Sequence, residues 1–355
     1  VRPYIYAGGG IISSESCQEV KIFAEKANIP VGVSLMAKSA FPANHPLATG
    51  MIGMHGTKAS NTAINKADLV IVLGARFSDR VISDPSKFAV NTKFIHIDID
   101  SAEINKNIKT CASIIGNLKD ILTKLIPLVK ERKKSEWNDY VSELKSHIPP
   151  MYTKKTALHP KFVCEKVNQI AGDDTIITTE VGQHQMWTAQ FYPFTKPRTF
   201  NTSGGLGTMG YGTGAAMGIQ FASPKSGVVH IAGDGSFRMN CNELATIQHY
   251  NLPIVIVVVN NGSLGNVRMW QKLFYENRFS QTTLDFGPDW IKLAAAYGID
   301  GFKANNAKEF EEVFEKAFKL NKPCIIDAKV DMDEMVLPMV PGGKPIDQPI
   351  MSWQN

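Results

Sequence analysis

Two doubly wound parallel-sheet α/β domains are predicted for this chain, on three observations. Short β-branched apolar runs alternate with segments of helical spacing, as in βαβ units whose strands are buried on both faces. Glycine-rich turns follow several of those runs directly. The alternation stops at a stretch rich in Pro, Lys and His around Lys145–Pro160, which contains Pro149-Pro150, and restarts beyond it. The boundaries that follow are a first domain over 1–148, a linker at 149–159, a second domain over 160–336 and a Pro- and Gly-rich tail over 337–355. With 355 residues, 44% of them hydrophobic, the chain has material for two cores.

In chain order, Tyr4–Ala7 predicts a strand, Gly8-Gly9-Gly10 a tight turn, and Ser14–Ala27 a helix capped by Ser13 or Ser14. Val31–Leu35, Leu69–Leu73 and Phe94–Ile99 read as further buried strands, with helices over 58–67 and 117–130. The glycine triplet lacks GxGxxG spacing, and no acidic residue ends a strand about 20 residues later, so the dinucleotide fingerprint fails. Two later stretches, Met51–Gly56 and Gly74–Arg80, put Gly, His, Arg and Asp into loops after strands, where ligands are met. Beyond the linker come a helix over 160–171, strands over 175–179 and 228–232, a helix over 243–250 stopped by Pro253, and a strand over 254–259. Helices over 266–275, 289–297 and 307–319 and a strand over 323–328 complete the pattern.

The net charge of +5 is modest and dispersed. Its one basic cluster, Lys130-Glu131-Arg132-Lys133-Lys134, reads as a solvated face at a helix end, so no nucleic-acid partner is expected. Five scattered cysteines without a CxxC pair argue against a disulfide framework or a zinc site and fit a reducing compartment. No apolar run approaches the 18 to 20 residues of a membrane span and no secretory signal is seen, so a cytoplasmic protein is expected, or one of an organelle. The start at Val-Arg-Pro, without Met, suggests a processed or truncated product.

The chemistry concentrates between Ile231 and Asn261. Gly233-Asp234-Gly235-Ser236 follows one buried strand, and Asn260-Asn261 ends the next, after a gap of 24 residues from the second glycine. Ligands of open α/β sheets bind outside the carboxyl ends of strands, so Asp234 and Asn261 would meet on that edge. A carboxylate with an amide oxygen is the hard ligation magnesium prefers when it also holds a phosphate, and the amides of the glycine turn and following helix suit the phosphate itself. A bare GDG is weak, since both residues are common in turns. GDG, helix, β-branched strand and NN together are far more specific, and they resemble the thiamine-diphosphate motif.

Further stretches extend the likeness: Met51–Gly56, GARFSDRV at 74–81, HIDID at 96–100, VGQHQMW at 181–187, SGGLGTMGYG at 203–212, MWQKLFYENRFS at 269–280 and LPMVPGG at 337–343. Together they resemble the catalytic large subunits of acetolactate synthase (acetohydroxyacid synthase). The resemblance implies pyrimidine-binding, central and diphosphate-binding domains. Only the last two are matched, and the pyrimidine-binding domain is expected to be absent from this chain. The implied reaction decarboxylates pyruvate on thiamine diphosphate and joins the two-carbon unit to pyruvate or 2-oxobutyrate, the first common step of branched-chain amino acid biosynthesis. Another thiamine-diphosphate decarboxylase or oxidase, or a cofactor-binding subunit without activity, are the competing readings.

Residue by residue, the likeness implies that Asp234, Asn261 and the Ser263 main chain hold Mg2+, and that Gln183 and His184 hydrogen-bond the diphosphate. Gly207 lies in the loop that grips the cofactor with Met209 as a wedge beneath it, while Gly233, Asp234, Gly235 and Ser236 form the diphosphate turn. Trp270 would face the acceptor substrate and Arg80, with Asp79, the access channel. FAD, in a non-redox role, would meet Gly9, His55, Arg76 and Asp98. The chain departs from the family at Ser78, usually Asp, and at Asn266, usually Met. A glutamate of the pyrimidine-binding domain would assist proton transfer on the cofactor, so these residues alone are expected not to catalyse carboligation, with Glu180 and Glu243 serving as braces. A homodimer or homotetramer, a small regulatory subunit and a tail that closes over the site, mobile without ligand, are also implied.

Overall fold

The computed structural model describes residues 1–146 and 158–352. The 149–159 linker therefore falls almost wholly outside the described residues. The chain divides into two compact units: Val1–Met151 with Pro193–Arg198 and Leu337–Asn355, and Tyr152–Tyr192 with Thr199–Val336.

The first unit holds six parallel strands, β1 (Pro3–Ala7), β2 (Val31–Val33), β3 (Ala48–Met51), β4 (Leu69–Leu73), β5 (Lys93–Asp98) and β6 (Ala112–Ile115), in the order β3-β2-β1-β4-β5-β6. Strand side chains alternate between faces. Accordingly Ile5 and Ala7 pack with Phe23 and Leu122, from the helices Cys17–Ala27 and Leu118–Leu125, while Tyr4 and Tyr6 pack on the opposite side with Ile64, from Lys58–Lys66, and Trp137, from Glu136–Ser146. Helices thus cover both faces, as doubly wound topology requires.

The second unit holds β7 (Ile176–Thr179), β8 (Phe200–Thr202), β9 (Val228–Gly233), β10 (Ile254–Asn260), β11 (Asp300–Ala304) and β12 (Cys324–Lys329), in the order β11-β12-β10-β9-β7-β8. All its strand pairs are parallel. Strands β9 and β10 are buried throughout, so they carry the β-branched runs visible in the sequence.

Four strands escape the sequence reading: β3, β6, β8 and β11. They are the four sheet edges. An edge strand has one side unpaired and is often less covered, so its residues need not be uniformly apolar; Ala112–Ile115 is exposed along its whole length. The expected helix from Ser14 is corrected as well. Glu15 takes φ +54° and breaks the chain between a short turn, Gly10–Ser13, and the helix Cys17–Ala27, so neither Ser13 nor Ser14 caps it. The expected strand Val31–Leu35 is shortened to Val31–Val33 because Leu35–Ala37 winds into a 3-10 turn.

Residues 337–352 are seated in the first unit. Met339 and Ile350 exchange main-chain hydrogen bonds of 3.0 and 2.8 Å, Val340 donates to Met54 O at 2.8 Å, and Met339, Val340 and Ile346 are buried.

Candidate functional site

In the second sheet β7 leads to β8 on one side and β9 leads to β10 on the other, so the strand order reverses between β7 and β9. A crevice opens at such a reversal, beyond the carboxyl ends of the strands. Here it is a cavity of about 250 Å³. Gln183 and His184 reach it from beyond β7, Gly233, Asp234, Gly235 and Ser236 from the end of β9 onward, Asn261 and Ser263 from beyond β10, and Gly207 and Met209 from the glycine-rich loop. Every second-unit residue expected to meet cofactor or metal therefore lines one cavity.

Asn261 is oriented at both ends of its amide. Its Nδ2 donates to Gln183 Oε1 at 2.8 Å, and its Oδ1 accepts from Ser263 N at 3.1 Å, leaving that oxygen a second lone pair. Gln183 is fixed in turn, its Nε2 donating to the Glu334 carbonyl at 2.9 Å. The Ser263 carbonyl lies 4.0 Å from where a Cβ on Gly235 would stand, which brings the turns after β9 and β10 together. Gly265, a lining residue the sequence reading missed, has to be glycine for this contact: a Cβ there would sit 1.9 Å from Gln183 Oε1 and 2.7 Å from Asn261 Nδ2.

Asp234 is buried, and burial pushes its carboxyl from 3.8 up to about 6 against the pull of Arg238 and Lys329. Burial likewise lowers the His184 imidazole to about 4, so the ring is neutral at physiological pH. His184 Nε2, Ser263 Oγ and Asn266 Oδ1 are buried and find no hydrogen-bond partner among the described residues. Each orphan costs about 1–3 kcal/mol, and all three belong to residues that line the cavity. The described residues hold no cluster of three or more His, Cys, Asp or Glu side chains fit for a metal. The set present is a carboxylate, an amide oxygen and a main-chain carbonyl, which suits a hard cation that keeps several waters.

Glu180, expected as a brace, accepts from the Thr213 amide at 3.1 Å and from Gly210 N. Burial works against its charge, yet His230 and the Thr213 amide hold the carboxyl below its ordinary value. Glu243 accepts from the Thr246 hydroxyl at 2.8 Å. Trp270, half-buried on the helix Gly265–Phe274, meets Phe274 edge-on with centroids 5.5 Å apart and is not among the residues lining the cavity.

In the first unit the sheet order reverses between β1 and β4, and Gly9 and Arg76 follow those two strands. The glycine turn passes against the other loop so closely that a Cβ on Gly10 would stand 2.7 Å from Gly74 Cα. His55 follows β3, its Nδ1 3.3 Å from Pro338 O, and Asp98 ends β5 with its carboxylate 3.6 Å from His96 Nε2. Burial alone would raise Asp98, but His96 and the Asp100 amide hold it below its ordinary value. Arg76, Asp79 and Arg80 are exposed, the first two on a cavity of about 290 Å³.

Residues 1–125 match the family described as thiamine pyrophosphate enzyme, central domain, and residues 180–328 match the thiamine pyrophosphate enzyme C-terminal TPP binding domain. Among curated relatives, the chain is 45% identical to a probable acetolactate synthase large subunit of Methanocaldococcus jannaschii, over 96% of this chain and 59% of that protein. It is 42% identical to the acetolactate synthase large subunit of Corynebacterium glutamicum (96% and 56%) and 41% identical to that of Buchnera aphidicola (96% and 62%). The chain thus spans about three fifths of the length of these relatives. No helix among the described residues is long and apolar enough to cross a membrane. With both a central domain and a TPP-binding domain in place, the chain belongs to the family of thiamine pyrophosphate enzymes that contains the acetolactate synthase large subunits.

Proposed function

We propose that the protein is an acetolactate synthase, which decarboxylates pyruvate and joins the two-carbon unit to a second 2-oxo acid, with thiamine diphosphate and Mg2+ in the cavity of the second unit. The observation that carries this reading is the convergence of Asp234, the oriented Asn261 amide and the Ser263 carbonyl beside three orphaned polar atoms. Asp234, Asn261 Oδ1 and Ser263 O would hold the cation, which would bridge to the diphosphate. Gln183, which accepts from Asn261 Nδ2, would keep the Asn261 oxygen available to the cation. His184, neutral, would hydrogen-bond the diphosphate. Gly207 and Met209 would shape the wall against the organic part of the cofactor, with Met209 as its support. Thiamine diphosphate, when bound, supplies the carbanion chemistry. Calorimetry of the full-length protein tests the reading: thiamine diphosphate should bind with Mg2+ and weakly or not at all without it, and Mg2+-independent binding of equal strength would contradict it.

FAD belongs to the same reading. Gly9, His55, Arg76 and Asp98 lie at or beyond the carboxyl ends of β1, β3, β4 and β5, the edge at which a doubly wound sheet takes a dinucleotide. Further parts of the reading are a homodimer or homotetramer, a small regulatory subunit, a cytoplasmic location and Arg80 beside the access channel. Trp270 would shape the acceptor pocket, where one methylene is worth about 1–3 kcal/mol. Trp270→Leu should erode any preference for 2-oxobutyrate while sparing acetolactate formation from pyruvate. Competition between the two acceptors reads this directly, and an unaltered product ratio would return Trp270 to a packing role.

The raised Asp234 pKa has a pH signature. Between about pH 4 and 6 the folded chain keeps a proton that the unfolded chain has released, so metal-free stability falls as pH rises through that window, by up to about 3 kcal/mol. Asp234→Asn removes this loss. In metal-free melts its stability relative to wild type should improve from about pH 4 to about pH 7. Mg2+ requires the carboxylate, so its affinity should weaken about tenfold per pH unit below about 6. A variant–wild-type difference that stays constant with pH would contradict the assignment.

A further inference from the structure

Outside the lining of the cavity lies a buried carboxylate–imidazole pair that none of the steps above employs. Glu180 and His230 are each 0% exposed, and Glu180 Oε1 stands 3.3 Å from His230 Nε2. Glu180 directly follows β7 and His230 lies within β9, so the pair bridges the two strands between which the sheet order reverses. His230 is held from its other side, with Nδ1 2.9 Å from Thr178 Oγ1 and its ring against Phe237. Buried polar pairs add little net stability once desolvation is counted, so the use of this one is sought in what it holds.

It holds the exit of the glycine-rich loop. The Glu180 carboxylate accepts from Gly210 N, from Thr213 N at 3.1 Å and from the Thr213 hydroxyl at 3.2 Å. Gly210, at φ +90°, turns the chain into the helix Tyr211–Ala222. A Cβ on Gly212 would stand 2.3 Å from His230 Cε1 and 2.7 Å from Thr179 O, so the first turn of that helix rests on the pair itself. At the loop's entry, Gln185 Nε2 donates to Thr202 Oγ1 at 2.7 Å. Between these anchors Thr208 N donates to Ser203 Oγ at 3.0 Å, but the Cβ positions of Gly205 and Gly207 meet nothing within 4 Å among the described residues, and Leu206 is 92% exposed. This weakly supported span carries Gly207, and Met209 directly precedes the Gly210 anchor; both line the cavity.

We propose that Glu180 and His230 are positioning residues, which through Gly210, Gly212 and Thr213 set where Gly207 and Met209 stand in the cofactor cavity. The inference rests on the thiamine-diphosphate reading of that cavity. It separates two ends of the site: the pair governs the wall facing the organic part of the cofactor, while Asp234 and Asn261 govern the metal and diphosphate.

Two ligands separate those ends in the full-length protein, Mg2+ with inorganic pyrophosphate and Mg2+ with thiamine diphosphate, both measured by calorimetry. Glu180→Gln turns an N–H group toward a site already filled by N–H donors, so the loop exit loses its anchor. The variant should bind thiamine diphosphate about tenfold or more weakly, with pyrophosphate affinity within about twofold of wild type. Amide hydrogen exchange over residues 205–213 should speed up in the ligand-free variant. Thr213→Val removes one hydroxyl donor and keeps the amide, so it serves if Glu180→Gln does not fold; a loss of about threefold, again confined to thiamine diphosphate, is expected. Equal weakening of both ligands would make the pair a general brace and overturn the proposal, as would unchanged affinity and exchange. A wild-type protein that binds neither ligand would overturn the thiamine-diphosphate reading, and the proposal with it.

Discussion

Asp234→Ala is expected to abolish magnesium-dependent binding of thiamine diphosphate, a loss of about a hundredfold or more. Truncating one partner of a buried charge contact costs about 2–5 kcal/mol, and here the cation would also lose its single carboxylate ligand. The fold should not suffer, because the lost group is a carboxylate that burial has driven up to about 6 and that metal-free protein gains nothing by keeping. A folded variant with unchanged affinity by calorimetry would remove Asp234 from the metal site.

Gly265→Ala should weaken the same affinity about tenfold or more, by displacing the Gln183 carboxamide rather than by deleting a group that would meet the cofactor or cation. Gly265 opens the helix Gly265–Phe274, and alanine is the better helix former by about 1 kcal/mol, so helix propensity alone favours the change. The new methyl would stand 1.9 Å from Gln183 Oε1. The Gln183 carboxamide must then swing away, releasing its bonds to Asn261 and to the Glu334 carbonyl. Asn261 is left free to present its nitrogen to the cation. Because both act through one contact, Gln183→Leu should cost about as much, and the double variant little more than either alone. Full additivity, or an unaffected Gly265→Ala, would mean that the Asn261 amide is oriented by something else.

What the sequence made legible follows from where the chemistry sits along the chain. Asp234 and Asn261 lie at the ends of two consecutive strands with fully buried, β-branched runs, so their meeting on one edge follows from parallel-sheet logic alone. The supports of that site were not legible in the same way. Gln183 reaches Asn261 across 78 residues and Glu334 across 151, and no local pattern encodes such a contact. Gly265 reads as one more glycine after a strand until the Gln183 carboxamide beside it is known. In the fold, central strands announce themselves by continuous burial, whereas the edge strand Asp300–Ala304 carries Asp, Gly and Lys. The break at Glu15 depends on a left-handed residue that no glycine marks.

The central claim, that the second-unit cavity serves carboligation of 2-oxo acids, is tested most directly by product analysis. The full-length protein, supplied with isotopically labelled pyruvate, Mg2+, thiamine diphosphate and FAD, should release CO2 and form acetolactate as the main organic product. Acetaldehyde or acetate in place of acetolactate, from protein with thiamine diphosphate demonstrably bound, would contradict it.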